Sequence, residues 1–469
     1  MKRDSAMEGI IDSKMIETLR EKLSGALLLP GDEHYEEAAQ AWNLDVHQHP
    51  SFVVKATCVE DIVAAVQFAD RADIGVGVMS TGHGIGALCD GGLLINISGM
   101  RGVKIDPVSR IAKVEAGALW KDVIPAAQSH GLAGLVGSAP HIGVVGYTLG
   151  GGFGYLGRKY GMNSDSGTAA DIVTADGKVV RTSADENAEL FWALKGSVGN
   201  FGIVVSLEFK LYPITSVYGG SVFYPIEIAP EALRLYARWT ADLSNDITAA
   251  IAMMNIPPLP SMPEPLRGKS VIVVKGCYCG EDPMAGETMF DAVRKQLGVP
   301  IVDTFRVMPI DQMDTISRDP VDPMGLLQYC GLISDLSTDA IVTLIKVAGA
   351  GSGSPLSVVE LRCLGGALHR NQKKVRVMGT GNARFSMNAL GSTATPEMAA
   401  RVRSHLNLLA IETREYQTGE TFINFMEVAP SADRVRSAYT TEDWEKLVAL
   451  KGKYDPKNTF RFNRNIRPS

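Results

Sequence analysis

Two glycine-rich stretches hold the residues best suited to chemistry. In STGHGIGALCDGG, His83 stands between Gly82 and Gly84. A histidine in an all-glycine setting has little to pack against, and its imidazole is free to act as a nucleophile or as an acid and base near neutral pH. Residues 146–161, GYTLGGGFGYLGRKYG, contain Gly152, Gly154 and Gly157 in the spacing GxGxxG. Glycines let successive backbone amides come against a flat or anionic ligand. A dinucleotide turn also needs a helix running on from the third glycine, and RKYGMNSDSG puts Gly161, Asn163 and Asp165 in its way. Asp176 with Gly177 reads as a hairpin turn between ADIVTA and KVVRTS rather than as a ribose-binding acid. The spacing by itself does not argue for a nicotinamide cofactor. A third stretch, VVELRCL, alternates so that Glu360 and Arg362 share one strand face, with Val359, Leu361 and Cys363 on the other. On an inner sheet that polar face looks into a pocket; on an outer sheet it is solvated.

The elements that must position these residues fall into two textures. From about Tyr35 to Pro213, short apolar runs such as SFVVKAT, IGVGVMS, GGLLINIS, RIAKVEAGA and GIVVSLEFKLYP alternate with helix-period segments. In VEDIVAAVQFADRA the spacing of Ile62, Val63, Val66 and Phe68 marks an amphipathic helix, and Gly131 follows ALWKDVIPAAQSH as a helix-ending glycine. After Pro213, SVYGGSVFYPIEI, KSVIVVKGCYCG, DAIVTLIKVAGAG, PLSVVELRCLGG and NARFSMNALG read as strands, interrupted by helices in EALRLYARWTADLS and TPEMAARVRSHLNLLAIETRE. A second domain over residues 216–418, an antiparallel sheet with helices on one face, fits this pattern. The tail from TFINFMEVAP onward is too small to be a domain and must pack on the others.

Composition narrows the class. The 469 residues are 45% hydrophobic and 21% charged, which suits an ordinary two-domain globular protein. Net charge is −6 with the basic residues dispersed, so nucleic acid and anionic membranes are not expected partners. The start, MKRDSAMEGIIDSK, is charged and lacks an apolar signal core, and no uncharged apolar run reaches the roughly 20 residues a membrane span needs. A soluble, cytoplasmic protein is expected. The six cysteines are scattered, and Cys277 and Cys279 are too close for a metal finger, so reduced core thiols and no metal are expected.

Together these stretches resemble the berberine bridge enzyme-like branch of the FAD-linked oxidases, within the vanillyl-alcohol oxidase and p-cresol methylhydroxylase superfamily. STGHG is similar to the RSGGH flavinylation motif, and PHIGVVGYTLGGGFGYLGRKYGMNSD to the long glycine-rich FAD loop. PSFVVKATCVEDIVAAVQFA, ELFWALKGSVGNFGIVVSLEFKLYP, VELRCLGGAL and LVALKGKYDPKNTFRFNRNI match in family order. The resemblance implies an α+β fold. A two-part FAD-binding domain is formed by residues 1–215 and 419–469, with the 216–418 sheet as a substrate domain roofing the flavin ring. It implies FAD bonded covalently through a ring nitrogen of His83 to the flavin 8α-methyl carbon. FAD would touch Ser80, Thr81, Gly82, Gly84 and Ile85 from the histidine segment. It would also touch Gly137, Ser138, Ile142, Gly143, Gly146, Tyr147, Gly151, Gly152 and Gly154. Gly202, Ile203 and Val204 join them, with Asn424 and Asn463 from the tail.

Three positions depart from the family pattern. Many relatives make a second flavin bond from a cysteine four residues before the glycine matching Gly143; here that residue is Ala139, so a singly attached flavin is expected. The chemistry implied is hydride transfer from a small or medium organic substrate to flavin N5, a base removing a proton, with electrons passing to oxygen or another acceptor. The tyrosine that often supplies that base in an NY pair is Phe425, and the tyrosine of GGGYG is Phe153. Glu360, His141, Tyr147 and Tyr155 remain as candidates for the base. Ile142 occupies the position where relatives control oxygen access. A flavoprotein using FAD structurally, or for a cyclisation without net redox change, is the competing expectation, and either a monomer or a homodimer is compatible with the sequence.

Overall fold

Short β-branched runs and one long amphipathic helix assemble the first half into two small sheets. In the computed structural model, which describes residues 12–370, 377 and 380–469, the first sheet has the order Ala26–Leu28, Phe52–Lys55, Leu93–Asn96, Val76–Met79. Its last three strands are parallel. The helix Val59–Ala72 packs Ile62, Val66 and Phe68 into that sheet's core. Its first-turn Asp61 is buried and accepts the amides of Ser24 (2.7 Å) and Thr57 (2.8 Å), tying two chain segments to the helix start. The second sheet is antiparallel, in the order Val103–Asp106, Ile111–Glu115, Ile203–Lys210, Gly167–Val173, Val179–Ser183. Gly177, at φ +71°, makes the hairpin between its last two strands, as the Asp-Gly pair suggests.

The large sheet has eight strands among the described residues. Its order is Val302–Asp303, Ser216–Pro225, Ser270–Tyr278, Ile247–Asn255, Val358–Cys363, Phe385–Ser392, Leu326–Ile333, with Arg306–Pro309 paired to the second of these. The pairings between neighbours are antiparallel. Helices Ala229–Trp239, Ala285–Leu297, Thr338–Ala348 and Pro396–Glu412 cover one face. The fold is α+β.

One expected strand is a helix. Residues 339–348 of DAIVTLIKVAGAG lie in the helix Thr338–Ala348, capped by Ser337, whose hydroxyl accepts the Ala340 amide. Its β-branched residues read as a strand, yet Ala340, Ile341, Leu344, Val347 and Ala348 recur at helical spacing and are buried together. Tertiary burial of that stripe outweighs local propensity.

The tail is bolted to the first half through a fully buried ion pair. Lys451 Nζ donates to Asp455 Oδ2 (2.7 Å), Asn200 O (2.7 Å) and Phe460 O (3.0 Å). Asp455 in turn accepts the amides of Thr459 and Phe460, and Asn200 Oδ1 accepts that of Ile466. A second bolt joins the glycine-rich loop to the large sheet. Buried Arg158 donates to the carbonyls of Ile247 (2.8 Å), Leu243 (2.7 Å) and Leu364. The six cysteines are free thiols, five of them buried, and no helix among the described residues is long and apolar enough to cross a membrane.

Candidate functional site

Two walls face one another across a cavity of about 1650 Å³. One wall begins at the carboxyl end of the parallel strand Val76–Met79, where the chain turns through 80–86, and continues in the loop 137–143 and the first turn of the helix Val144–Leu149. The other is the uncovered face of the large sheet, and tail residues 422–428 and 462–464 close one side. Pockets for drug-sized ligands run to about 1000 Å³. The cavity therefore has room for a large cofactor with a substrate beside it.

His83 is on the first wall. Its Nδ1 lies 2.9 Å from Thr81 Oγ1, and its Nε2 is buried without a partner. The expectation that this ring has nothing to pack against is corrected by a distant residue: Trp42 stacks on it, with centroids 4.6 Å apart and planes 20° from parallel. His141 comes within 5.0 Å from the other loop. Burial, reinforced by His141, pushes the His83 pKa down to about 3, so the imidazole is neutral at ordinary pH. A neutral ring with an idle buried nitrogen is the form a nucleophile requires.

The glycines divide into two groups. Gly84, Gly146 and Gly199 have open space where a Cβ would stand, and all three line the cavity with Gly82, Gly137, Gly143 and Gly202. Ser80, Thr81, Ile85, Ser138, Ile142, Tyr147, Ile203, Val204, Asn424 and Asn463 line it too. Gly151, Gly152 and Gly154 do not. Gly151 and Gly152 turn the chain at φ +103° and +77°, and a Cβ on Gly152 would strike the Tyr147 ring. A Cβ on Gly154 would strike the Val136 carbonyl. The GxGxxG residues allow close backbone packing, and only a four-residue helix, Gly157–Tyr160, follows them.

On the large sheet, register decides the question that alternation leaves open. Val359, Leu361 and Cys363 lie in the apolar core beneath the helices, whereas Glu360 and Arg362 line the cavity. Ala250 on the neighbouring strand is opposite both Arg362 and Lys275, which brings Lys275 onto the same face. Glu360 Oε1 accepts from Arg362 Nε (2.9 Å) and Nη2 (2.6 Å), and Oε2 accepts from Lys275 Nζ. Burial works to raise the Glu360 pKa, but Arg362 and Lys275 reverse this and hold it at about 2. Burial likewise opposes the charges on Lys275 and Arg362, and Glu360 more than offsets it, raising both.

The two phenylalanines standing where phenols are expected both meet this group. The Arg362 guanidinium carbon lies 5.4 Å from the Phe153 ring centroid, 5.7 Å from Phe425 and 6.0 Å from Tyr155. Tyr155, fully buried, is 2.6 Å from Ser317 Oγ, and Ser317 reaches the cavity. Tyr147 donates to the Leu135 carbonyl at 3.1 Å, and burial pushes its hydroxyl well above the usual phenol range. His141, half-buried beside His83 rather than beside Glu360, has its pKa lowered by burial against the opposing pull of Asp319.

Sequence reasoning overlooked Trp42, Lys275 and Ser317. Lys275 had a legible signal, a lone cation inside the apolar run VIVVKGCY. Trp42 had none, because its partner is remote in sequence.

Comparison with known proteins places this arrangement among relatives. A family model described as an FAD binding domain matches residues 50–183, and one described as berberine and berberine like matches residues 421–467. The (R)-6-hydroxynicotine oxidase of Paenarthrobacter nicotinovorans is 28% identical, covering 95% of this chain and 97% of its own. An FAD-linked oxidoreductase of Dictyostelium discoideum is 26% identical over 97% of both chains. Among solved structures, 6-hydroxy-D-nicotine oxidase from Arthrobacter nicotinovorans superposes with a TM-score of 0.80 at 24% identity, covering 95% of this chain and 98% of that one. Physcomitrella patens BBE-like 1 superposes with a TM-score of 0.84 at 20% identity, covering 97% and 100% respectively.

Proposed function

The chain is an FAD-dependent oxidoreductase of the berberine bridge enzyme-like family, and from that premise we propose that its flavin is held in the 1650 Å³ cavity by a single covalent bond to His83. The observation that carries the reading is the buried, unpartnered Nε2 of a neutral His83 on the cavity wall. The open backbone at Gly84, Gly146 and Gly199 supports the fit, since side chains there would occupy the space a flat ring system needs. Ala139, also on the wall, has no sulfur with which to make a second bond.

Bound FAD supplies the acceptor for a substrate hydride and passes the electrons to oxygen or another acceptor. The protein's own part is to orient the substrate and to manage charge and protons. Ser80, Thr81, Gly82, Gly143 and Asn424 are the residues we assign to hold the cofactor from the first wall and the tail. Glu360, ionised at any working pH, fixes Lys275 and Arg362 on the opposite wall. Those cations favour negative charge on a substrate oxygen, which lowers the cost of removing its proton. Ser317, hydrogen-bonded to Tyr155 and half-buried at the cavity, would relay that proton toward solvent, passing on its own hydroxyl proton as it takes the substrate's. The substrate is a small or medium organic molecule, the class to which the nicotine-oxidising relatives' substrates belong.

Intact mass and acid denaturation test the assignment. The wild-type chain should carry the mass of one FAD and remain yellow after denaturation, and His83→Ala should release its flavin. Flavin released freely from the wild type would overturn the covalent link.

A further inference from the structure

Lys275, Glu360 and Arg362 bury an unequal set of charges. Each is less than 10% exposed, and the three share the cavity-facing side of neighbouring strands. Both oxygens of the one carboxylate are engaged, Oε1 by Arg362 and Oε2 by Lys275. Two cations against one anion leave one positive charge without a partner. Asp319 is the next carboxylate to act on both cations, but it lies exposed on its loop and is hydrogen-bonded to Ser138, so solvent screens it. A buried net charge is costly unless something of opposite sign meets it.

The unspent valence has a direction. Arg362 commits Nε and Nη2 to Glu360, and its Nη1 has no hydrogen-bond partner among the described residues. Phe153, Tyr155 and Phe425 surround the guanidinium, and neither phenylalanine offers it an oxygen. The rings limit access of water while the cavity side stays open to a ligand. The replacement of two expected phenols by phenylalanine thus leaves the cation unquenched.

Resting on the cofactor reading above, we propose that this site selects substrates carrying an anionic group, a carboxylate or an acidic hydroxyl ionised at neutral pH, which Arg362 engages through Nη1 with Lys275 behind it. Glu360 is a positioning residue: it holds the two cations apart and sets the net charge. Guanidinium and carboxylate match in planar geometry, so an acid gains a charge-assisted hydrogen bond that its amide lacks.

The test uses the flavin-loaded protein and follows the flavin absorbance during titration with benzoate, phenylacetate and mandelate, each beside its primary amide. At least one acid should perturb the spectrum with saturation and bind about tenfold or more tightly than its amide, the size expected of one charge-assisted contact. Arg362→Gln and Lys275→Gln should each reduce that preference, while Glu360→Gln, which leaves both cations, should increase it. A purely structural role for Glu360 would leave the preference unmoved. Raising the salt concentration on the wild type gives the same answer without any variant: acid binding should weaken and amide binding should not. Failure of all three acids, equal binding of acid and amide, or equal loss of both in Arg362→Gln overturns the proposal. The last outcome would mean that the charge serves the flavin instead. Protein purified without flavin is a separate failure, of the cofactor reading, and is visible before any titration.

Discussion

Phe153 and Arg362 meet across the two halves of the molecule, the guanidinium carbon 5.4 Å from the ring centroid. The contact joins the glycine-rich loop to the strand Val358–Cys363. The Phe153 ring face serves the cation, and without a hydroxyl the residue offers the guanidinium no oxygen. Cation–π contacts contribute from about 0.5 kcal/mol at exposed sites to about 2 kcal/mol in desolvated ones. A double-mutant cycle of Phe153→Leu and Arg362→Met, read by denaturant unfolding, should give a coupling of that size. Zero coupling would mean that the ring only fills space.

His83 makes the apoprotein sensitive to acid. Its folded pKa, about 3, is below the ordinary 6.5, so the unfolded chain binds the proton first as pH falls. Its contribution is intact above pH 6.5 and is lost progressively down to about 3, by roughly 1.4 kcal/mol per pH unit. Apoprotein made under riboflavin limitation should lose stability over that window faster than its His83→Asn variant. Parallel curves would show that the ring is hydrated.

Ile142 lines the cavity one residue before Gly143. Removing one methylene in a tight space admits a small molecule more readily. Ile142→Val should speed reoxidation of the reduced flavin by oxygen several-fold, with little change in the reductive half-reaction, as stopped-flow absorbance would record. An unchanged oxygen rate assigns the control of access to another residue.

Lys451 and Asp455 are both fully buried, so removing one leaves the other uncompensated. Lys451→Met should cost about 3–5 kcal/mol of stability. The loss should appear as a lower unfolding midpoint and a weaker hold on the tail that carries Asn424 and Asn463. A midpoint close to wild type would mean that water reaches Asp455.

Much of the site is legible in the chain before folding. Composition and texture indicate two domains of mixed α and β structure, and glycine-flanked His83 with the long glycine-rich segment marks one wall of the cavity. These signals are local: a glycine's missing Cβ, a strand's alternation and a turn's Asp-Gly pair act within a few residues of themselves. Even so, local signals misread 338–348, where burial of a helical stripe prevailed over β-branched propensity.

What only the tertiary structure decided is pairing at long range. Sequence alternation put Glu360 and Arg362 on one face, but not which face was dry. Cross-strand register added Lys275, and that third charge changes the chemistry from a balanced ion pair to a site with a positive excess. Trp42 on His83, and the Gly151, Gly152 and Gly154 backbone packed away from the cavity, are likewise set by contacts between segments far apart in the chain. The physical reason is that burial and partner count govern both pKa and hydrogen-bonding capacity, and neither belongs to a residue until its neighbours are in place.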